Sequence, residues 1–185
     1  MILNSTHLSQ IWNDLDPCWK KILAEHLELG DYFEAADIIY APTITELDLY
    51  KTEVIDLWPL RLMPGLKKLD ISHTQIQKPA AIAGLKQLEE LEANFCSGLD
   101  LRVLAALPAL QVLDISYPQQ PHVHLAALER LTSLKEVYCN CCDLQHLKPF
   151  MKLPQLEKLC VQFNPLSREE LCRFRRLNPH VEVLF

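Results

Sequence analysis

The sequence predicts a right-handed α/β solenoid, a horseshoe of about six stacked units whose short strands line a parallel concave sheet. Apolar residues return at fixed offsets with a period of 22 residues from Ile44 to the C-terminus. Within each period a strand pattern is followed by a return leg with an apolar residue at every third position, and residues 1–43 lie outside the pattern. A unit this small buries its apolar face only by stacking on its neighbours, which is typical of solenoids.

The register of the units follows from their first residues. These are Ile44, Leu66, Leu88, Leu110, Leu134 and Leu156. We predict a strand over positions 3–7 of each unit, with positions 4 and 6 facing the core and the positions between them facing the concave side. The fourth unit has two additional residues within Pro118–Pro121, where the prolines exclude a strand. The spacing of three in the return leg favours 3₁₀ or irregular helical turns on the convex side.

The best-ordered units, LKKLDISHTQI, LQVLDISYPQQ and LEKLCVQFNPL, follow the pattern L-x-x-L-x-L-x-x-N/C-x-L. The chain thereby resembles the leucine-rich repeat family, in the short 22-residue class that includes internalin-type bacterial proteins and intracellular eukaryotic regulators. The resemblance covers residues 44–185 and implies a scaffold that binds other proteins. The ninth position departs from the family pattern, because it is Asn only at Asn164, and we expect the buried amide ladder of the family to be interrupted.

The segments that flank the repeats are predicted to cap the open ends of the solenoid. Asp16 and Pro17 predict a helix start, Gly30 stands where its C-terminal cap is expected, and Trp12 and Trp19 are candidate anchors against the first unit. A shorter helix over residues 8–13 is expected before it. We therefore divide the chain into a helical cap (1–43), repeats (44–166) and a C-terminal cap (167–185) within one structural domain.

The C-terminal cap is predicted to be a helix followed by a strand. Ser167 stands where an N-cap residue is expected, with Glu170 at the third helical position, a combination that marks helix starts. The final residues, NPHVEVLF, predict a last short apolar strand.

Composition narrows the class of partner. The chain has 185 residues, a net charge of −6 and a pI of about 5.6, which argues against nucleic acid and favours a basic partner. The N-terminal sequence lacks a signal-peptide pattern and no apolar run is long enough to span a membrane, so we expect a cytoplasmic protein with no membrane contact. Seven scattered cysteines indicate reduced thiols rather than a disulfide framework.

Two stripes of side chains form the candidate binding site on the concave face. The fifth positions of the first four units place four carboxylates at strand spacing, about 5 Å apart, and a cationic partner would relieve their repulsion. The alternative is that acidic residues at this position are only a common feature of the repeat and bind no ligand. The second stripe combines aromatic groups and one histidine, which suit contacts with Lys or Arg unless they serve packing. The predicted contact residues are Asp48, Tyr50, Asp70, His73, Glu92, Phe95, Asp114, Tyr117, Tyr138 and Phe163.

The sequence offers little for catalysis or metal binding. It contains no Gly-rich phosphate loop and no G-x-S-x-G motif. In Cys139-Asn140-Cys141-Cys142 the repeat register points the thiols in different directions, whereas zinc needs converging ligands. We therefore expect no catalytic residue, no metal site and no cofactor.

These observations favour a non-catalytic scaffold for protein–protein interaction that binds a basic protein or peptide on the concave face. One alternative is an adaptor whose N-terminal helix recruits a second partner. Another is a structural protein that associates with itself, since the sequence leaves the oligomeric state open.

Overall fold

The computed structural model describes residues 5–119 and 124–185, in which seven strands form one parallel sheet in sequential order. Each strand pairs with the next in register, so that equivalent positions of successive units lie side by side, as in the pair of Leu47 with Leu69. The strands are β1 (Glu46–Asp48), β2 (Lys68–Asp70), β3 (Glu90–Glu92), β4 (Val112–Asp114), β5 (Glu136–Tyr138), β6 (Lys158–Cys160) and β7 (Glu182–Leu184). The predicted open solenoid with a parallel sheet is confirmed.

The strands are shorter than predicted, because each ends at the fifth position of its unit rather than the seventh. The residue at the eighth position is left-handed in every unit, with φ between 52° at Phe95 and 60° at Phe163. A left-handed residue turns the chain out of the extended conformation, so the strand cannot continue.

The return legs contain the predicted 3₁₀ turns on the convex side. They span Trp58–Leu62, Pro79–Gly84, Leu101–Ala106, Leu125–Arg130 and Lys148–Phe150. Successive segments pack on one another along the convex surface. Of the insertion predicted at 118–121, Gln120 and Pro121 lie outside the described residues.

The ninth position confirms that the amide ladder is interrupted. Asn164 uses both ends of its side-chain amide. Its Nδ2 donates to the carbonyls of Cys139 (2.7 Å) and Val161 (2.9 Å). Its Oδ1 accepts from the backbone N–H groups of Cys142 and Leu144, both at 2.9 Å. Thr74, in contrast, donates its hydroxyl to the carbonyl of Ile71 within its own unit, and it has one contact with the next unit, at 3.6 Å from Sγ of Cys96. The shorter side chains therefore make fewer hydrogen bonds to the neighbouring unit than the amide does.

The N-terminal segment forms two helices, α1 (Ser5–Asp14) and α2 (Pro17–His26). The Asp16 side chain accepts from the backbone N–H of Trp19 at 2.9 Å, which confirms the predicted N-cap. The prediction that Gly30 ends this helix is wrong. Glu28 is the left-handed residue at the helix end (φ 57°), and Leu29 donates its N–H back to the carbonyl of Ala24, which closes the last turn before Gly30 is reached.

Trp19 attaches α2 to the first repeat. Its side chain is fully buried, and its Nε1 donates to the carbonyl of Asp56 at 2.9 Å, across 37 residues of sequence. Trp12, the other predicted anchor, is only half-buried and packs its ring on Phe33 at 5.2 Å between centroids. One tryptophan therefore belongs to the core, and the other lies at its edge.

The C-terminal segment forms α3 (Arg168–Leu177) and β7 as predicted. The Ser167 hydroxyl accepts from the backbone N–H of Glu170 at 3.1 Å, which confirms the N-cap. Leu171 and Phe174 of α3 are buried against the last repeat, and β7 pairs with β6, so that the end of the core is covered.

We predict that Trp19→Ala lowers the free energy of unfolding by about 3–5 kcal/mol, because it removes a large buried side chain and the hydrogen bond to Asp56. Urea unfolding followed by circular dichroism measures the loss. Trp19→Phe, which keeps most of the volume, should give a smaller loss. A cost below about 1 kcal/mol for the alanine variant would show that α2 is not part of the cooperative core.

Candidate binding face on the concave sheet

The predicted acidic row exists as a continuous column on the concave sheet. The strand register places Asp48 beside Asp70, Asp70 beside Glu92 and Glu92 beside Asp114. Adjacent parallel strands lie about 4.8 Å apart, so each carboxylate has a like charge within reach. The four acids that the sequence places in one row are therefore brought together.

Three of these carboxylates also end their strands. Oδ1 accepts from the backbone N–H two residues later, in Asp48 from Tyr50 (2.7 Å). The same bond joins Asp70 to Ser72 (2.7 Å) and Asp114 to the seventh-position serine of its own unit (2.9 Å). An aspartate whose side chain accepts from the backbone N–H two residues later forms an Asx turn. That N–H is then not available for further strand pairing. The aspartates at the fifth position therefore have a structural role.

Units without aspartate at the fifth position satisfy the same N–H in another way. Asn94 donates its backbone N–H to Oγ of Ser72, and Asn140 donates to Oγ of Ser116, both at 3.1 Å. Gln162 donates to Oδ1 of Asn140 at 2.8 Å. A polar side chain at the seventh position of the preceding unit thus replaces the missing aspartate.

Glu92 differs from the other three members of the row. Within residues 5–119 and 124–185, its carboxylate has no hydrogen bond and no ion pair. Partial burial, followed by repulsion from Asp70, Glu90, Asp114 and Asp48, raises the pKa of Glu92 above its ordinary value. Glu92 is therefore a charge that the fold does not require and that its neighbours disfavour.

A second charged column runs beside the acidic row at the third position of the units, and the sequence analysis missed it. Lys68 lies between Glu46 and Glu90, with its Nζ 3.9 Å and 3.6 Å from their carboxylates. Positions 3 and 5 lie on the same face because strand side chains alternate, so the register alone contained the signal. The N-terminal half of the concave face therefore carries Glu46 and Glu90 in addition to the predicted acids.

His26, the last residue of α2, contributes to the same surface. It is exposed, its Nδ1 lies 3.0 Å from the carbonyl of Ile22, and its Nε2 lies 3.5 Å from the backbone N of Asp48. With the first three strands it lines a cleft of about 460 Å³. No sequence signal connects it with the acids, since the contact depends on how α2 packs on the first repeat.

Four rings of the predicted aromatic stripe form one stacked column. Tyr50 meets His73 edge-on at 5.1 Å between centroids. His73 stacks on Phe95 at 4.5 Å, and Phe95 stacks on Tyr117 at 4.9 Å with an interplanar angle of 4°. We call these four residues the ring ladder. Its spacing follows that of the strands, because neighbouring rings belong to neighbouring units.

Three rings of the ladder stand on the left-handed residues after the strands, and Tyr50 stands one residue before the left-handed Lys51. His73, Phe95 and Tyr117 have φ of 59°, 52° and 53°. Their backbone N–H groups still donate to the following unit, as in His73 to the carbonyl of Asn94 at 2.7 Å, so each turn is fixed. The exposed fraction is 39% for Phe95 and 37% for Tyr117, which leaves part of each ring open to a partner.

Tyr138 and Phe163 do not join the ring ladder. The Tyr138 hydroxyl donates to Glu136 Oε2 at 2.6 Å and lies 3.1 Å from Lys158 Nζ, and the bond to Glu136 raises the pKa of the phenol. Phe163 is 77% exposed, and Cys141, which is not aromatic, occupies the eighth position between it and Tyr117. The predicted patch therefore splits into an acidic and aromatic N-terminal part and a separate C-terminal part.

The cysteine run is divided between core and surface. Cys139 and Cys142 are buried, and Cys141 is exposed. Burial, followed by the neighbouring Cys142 thiol, raises the pKa of the Cys139 thiol, so it stays protonated. Across the part of the chain that the structure describes, no group of three or more His, Cys, Asp or Glu side chains could hold a metal ion. In the same residues, no helix has the length and apolar character needed to cross a membrane.

Solved structures with the same architecture are leucine-rich repeat proteins. An internalin from Listeria monocytogenes superimposes with a TM-score of 0.69 at 23% identity, over 85% of this chain and 45% of the internalin. A leucine-rich repeat protein from Leptospira interrogans gives a TM-score of 0.68 at 25% identity, over 83% of this chain and 40% of its own. TLR13, in a complex with ssRNA13, gives 0.60 at 18% identity, over 76% of this chain and 21% of TLR13.

The chain spans less than half the length of these three proteins. No protein-family model and no curated protein matches it in sequence. The comparisons thus identify the repeat architecture and indicate no catalytic family.

We predict that Asp114→Ala lowers the free energy of unfolding by about 1 kcal/mol, because the backbone N–H of Ser116 loses its acceptor, as when a helix loses its N-cap side chain. Asp114→Asn keeps an acceptor oxygen and should cost less. Chemical denaturation of both variants provides the measurement. Equal losses would mean that the charge of Asp114, rather than the hydrogen bond, matters for stability.

We predict that Glu92→Gln stabilises the fold at neutral pH by about 0.3–1 kcal/mol, a range set by solvent screening at this exposed site. Because the folded-state pKa of Glu92 is raised above the ordinary value of 4.5, its ionisation destabilises the fold, and this effect appears as pH rises through the raised pKa. The advantage of the variant should therefore vanish below pH 4.5. Unfolding curves across the pH range test this, and an advantage independent of pH would contradict it.

Proposed function

Because the chain has the leucine-rich repeat fold, we propose that it is a non-catalytic scaffold for protein–protein interaction, and that its concave face binds a basic segment of a partner. The observation that carries the proposal is the juxtaposition of two columns. Unpaired acidic charge centred on Glu92 runs beside the ring ladder, and a shallow cleft of about 220 Å³ lined by Glu92, Phe95 and Tyr117 adjoins both.

The acidic column would supply attraction and orientation. Glu92 has no partner among the described residues, and partial burial, followed by the repulsion of its neighbours, raises its pKa. A Lys or Arg placed there would reverse the sign of that interaction. Since charges at the rim of an interface act on the association rate and on its salt dependence, binding should weaken as salt rises.

The ring ladder would supply contact area. Aromatic side chains bury a large surface with few rotatable bonds, and their faces attract guanidinium and ammonium groups. The stacked rings are already ordered by one another, so little further conformational entropy is lost when a partner binds. An extended segment with alternating basic residues suits both columns. In this proposal Tyr138 and Phe163 contact a more distant part of the same partner.

The adaptor alternative receives less support from the contacts of the N-terminal helices. Trp19 is fully buried and bonded to Asp56, so α2 closes the core of the repeats. Deletion of residues 1–30 should therefore unfold the protein rather than remove one partner and leave a folded solenoid.

The test of the proposal is affinity capture from an extract of the source organism, followed by mass spectrometry. The bait variant is Glu90→Lys/Glu92→Lys, which changes two concave acids that make no strand-ending hydrogen bond. The matched control is Glu129→Lys/Glu157→Lys, which changes two exposed acids outside the concave columns. We expect a partner with a Lys- or Arg-rich segment to be captured by the native protein and the control, and lost by the concave variant.

Calorimetry with the captured segment then measures affinity. Charge reversal at two rim positions should lower it by about tenfold and flatten its salt dependence. Phe95→Ala should lower affinity with little change in salt dependence. A partner that binds all baits equally would place the interface elsewhere and overturn the proposal.

A further inference from the structure

A groove lies at the C-terminal end of the solenoid, and it shares no lining residue with the two concave clefts. It has a volume of about 580 Å³ and lies between α3 and the return leg of the fifth unit. On the repeat it is lined by His146, Lys148, Met151 and Lys152. Both walls belong to elements whose buried sides are fixed in the core, through Phe150 and Phe174.

The wall formed by α3 is a single stripe of the helix. Glu170, Arg173 and Leu177 line the groove, and they stand three and four residues apart, so they share one face. The adjacent side of the helix carries Leu171 and Phe174 into the core. Arg173 and Leu177 are therefore exposed residues of α3 that the core does not use, whereas Glu170 also bonds the neighbouring repeat.

The charge of the groove is positive, although the chain as a whole carries −6. Lys148, Lys152 and Arg173 are exposed, and none of them forms an ion pair within residues 5–119 and 124–185. The single carboxylate, that of Glu170, is already engaged: its Oε1 accepts from the backbone N–H of Leu147 at 2.9 Å. Three cations and His146 are thus left without an acidic partner.

Apolar surface lies among these cations. Leu177 is 57% exposed, and Met151 is half-buried beside it in the lining. A large exposed leucine is unfavourably solvated by water. Covering it with a partner's apolar side chain removes apolar surface from water and therefore favours binding. Methionine suits such a site, since its flexible side chain adapts to the shape of the ligand.

We propose that this groove binds an acidic peptide segment of a protein partner that inserts one large apolar side chain between Met151 and Leu177. Asp and Glu residues of the segment pair with Lys148, Lys152 and Arg173. The site is distinct from the concave face and opposite to it in charge, so the proposal stands independently of the one above. Because the site is a groove, it suits an inserted side chain better than the flat surface of a membrane.

The experiment is selection of a displayed library of random peptides on the native protein, with the peptides eluted and sequenced. The variant is Lys152→Glu/Arg173→Glu, and the matched control is Arg61→Glu/Arg130→Glu, which changes net charge equally at exposed convex sites away from the groove. We expect the selected peptides that prefer the native protein over the variant to be acidic and to share a large apolar residue. Their affinity should fall about tenfold on the variant and stay unchanged on the control.

Two further measurements keep the result interpretable. Leu177→Ser changes a side chain that is 57% exposed, so it should leave the thermal midpoint unchanged and still weaken peptide binding. Glu90→Lys/Glu92→Lys should not affect these peptides, which separates this site from the concave face. The proposal is overturned if no acidic peptides are enriched, or if they bind the variant equally. It is also overturned if only phosphatidylserine vesicles, and no peptides, distinguish the variant from the native protein.

Discussion

The in-register stacking of equivalent residues is the constraint on which the whole structure depends. Each unit buries its leucines and satisfies its strand hydrogen bonds only against the next unit, so position 5 lies beside position 5 and position 8 beside position 8. Any side chain that recurs along the sequence therefore becomes a column in space. The acidic row and the ring ladder both arise in this way, one from the strands and the other from the turns.

Fold and candidate site share the same atoms on the concave face. Asp48, Asp70 and Asp114 each use one oxygen to hold the N–H that ends the strand, and the other oxygen remains available. Glu92 has no such bond within the described residues, while the neighbouring N–H of Asn94 is held by Ser72. The aspartates therefore belong to the turn, and in our proposal the glutamate is the charge left for a partner.

The molecule separates its charges along the solenoid. Acidic side chains from Glu46 to Asp114 gather on the concave side of the first four units, whereas Lys148, Lys152 and Arg173 surround the groove beside α3. Because the two regions share no lining residue, each would act on its own ligand in our proposals. In these two proposals, one array of repeats presents two binding surfaces that prefer ligands of opposite charge.

The sequence by itself determined the repeat register, the parallel sheet, the 3₁₀ return legs and the N-caps at Asp16 and Ser167, because these depend on periodicity and on neighbours within a few residues. Only the tertiary structure decided that four rings stack while Tyr138 and Phe163 stay apart. It also decided that His26 reaches the acids and that Glu92 is unpaired among the described residues. Those outcomes depend on contacts between side chains one or more repeats apart, whose distances and hydrogen bonds are fixed only when the units pack.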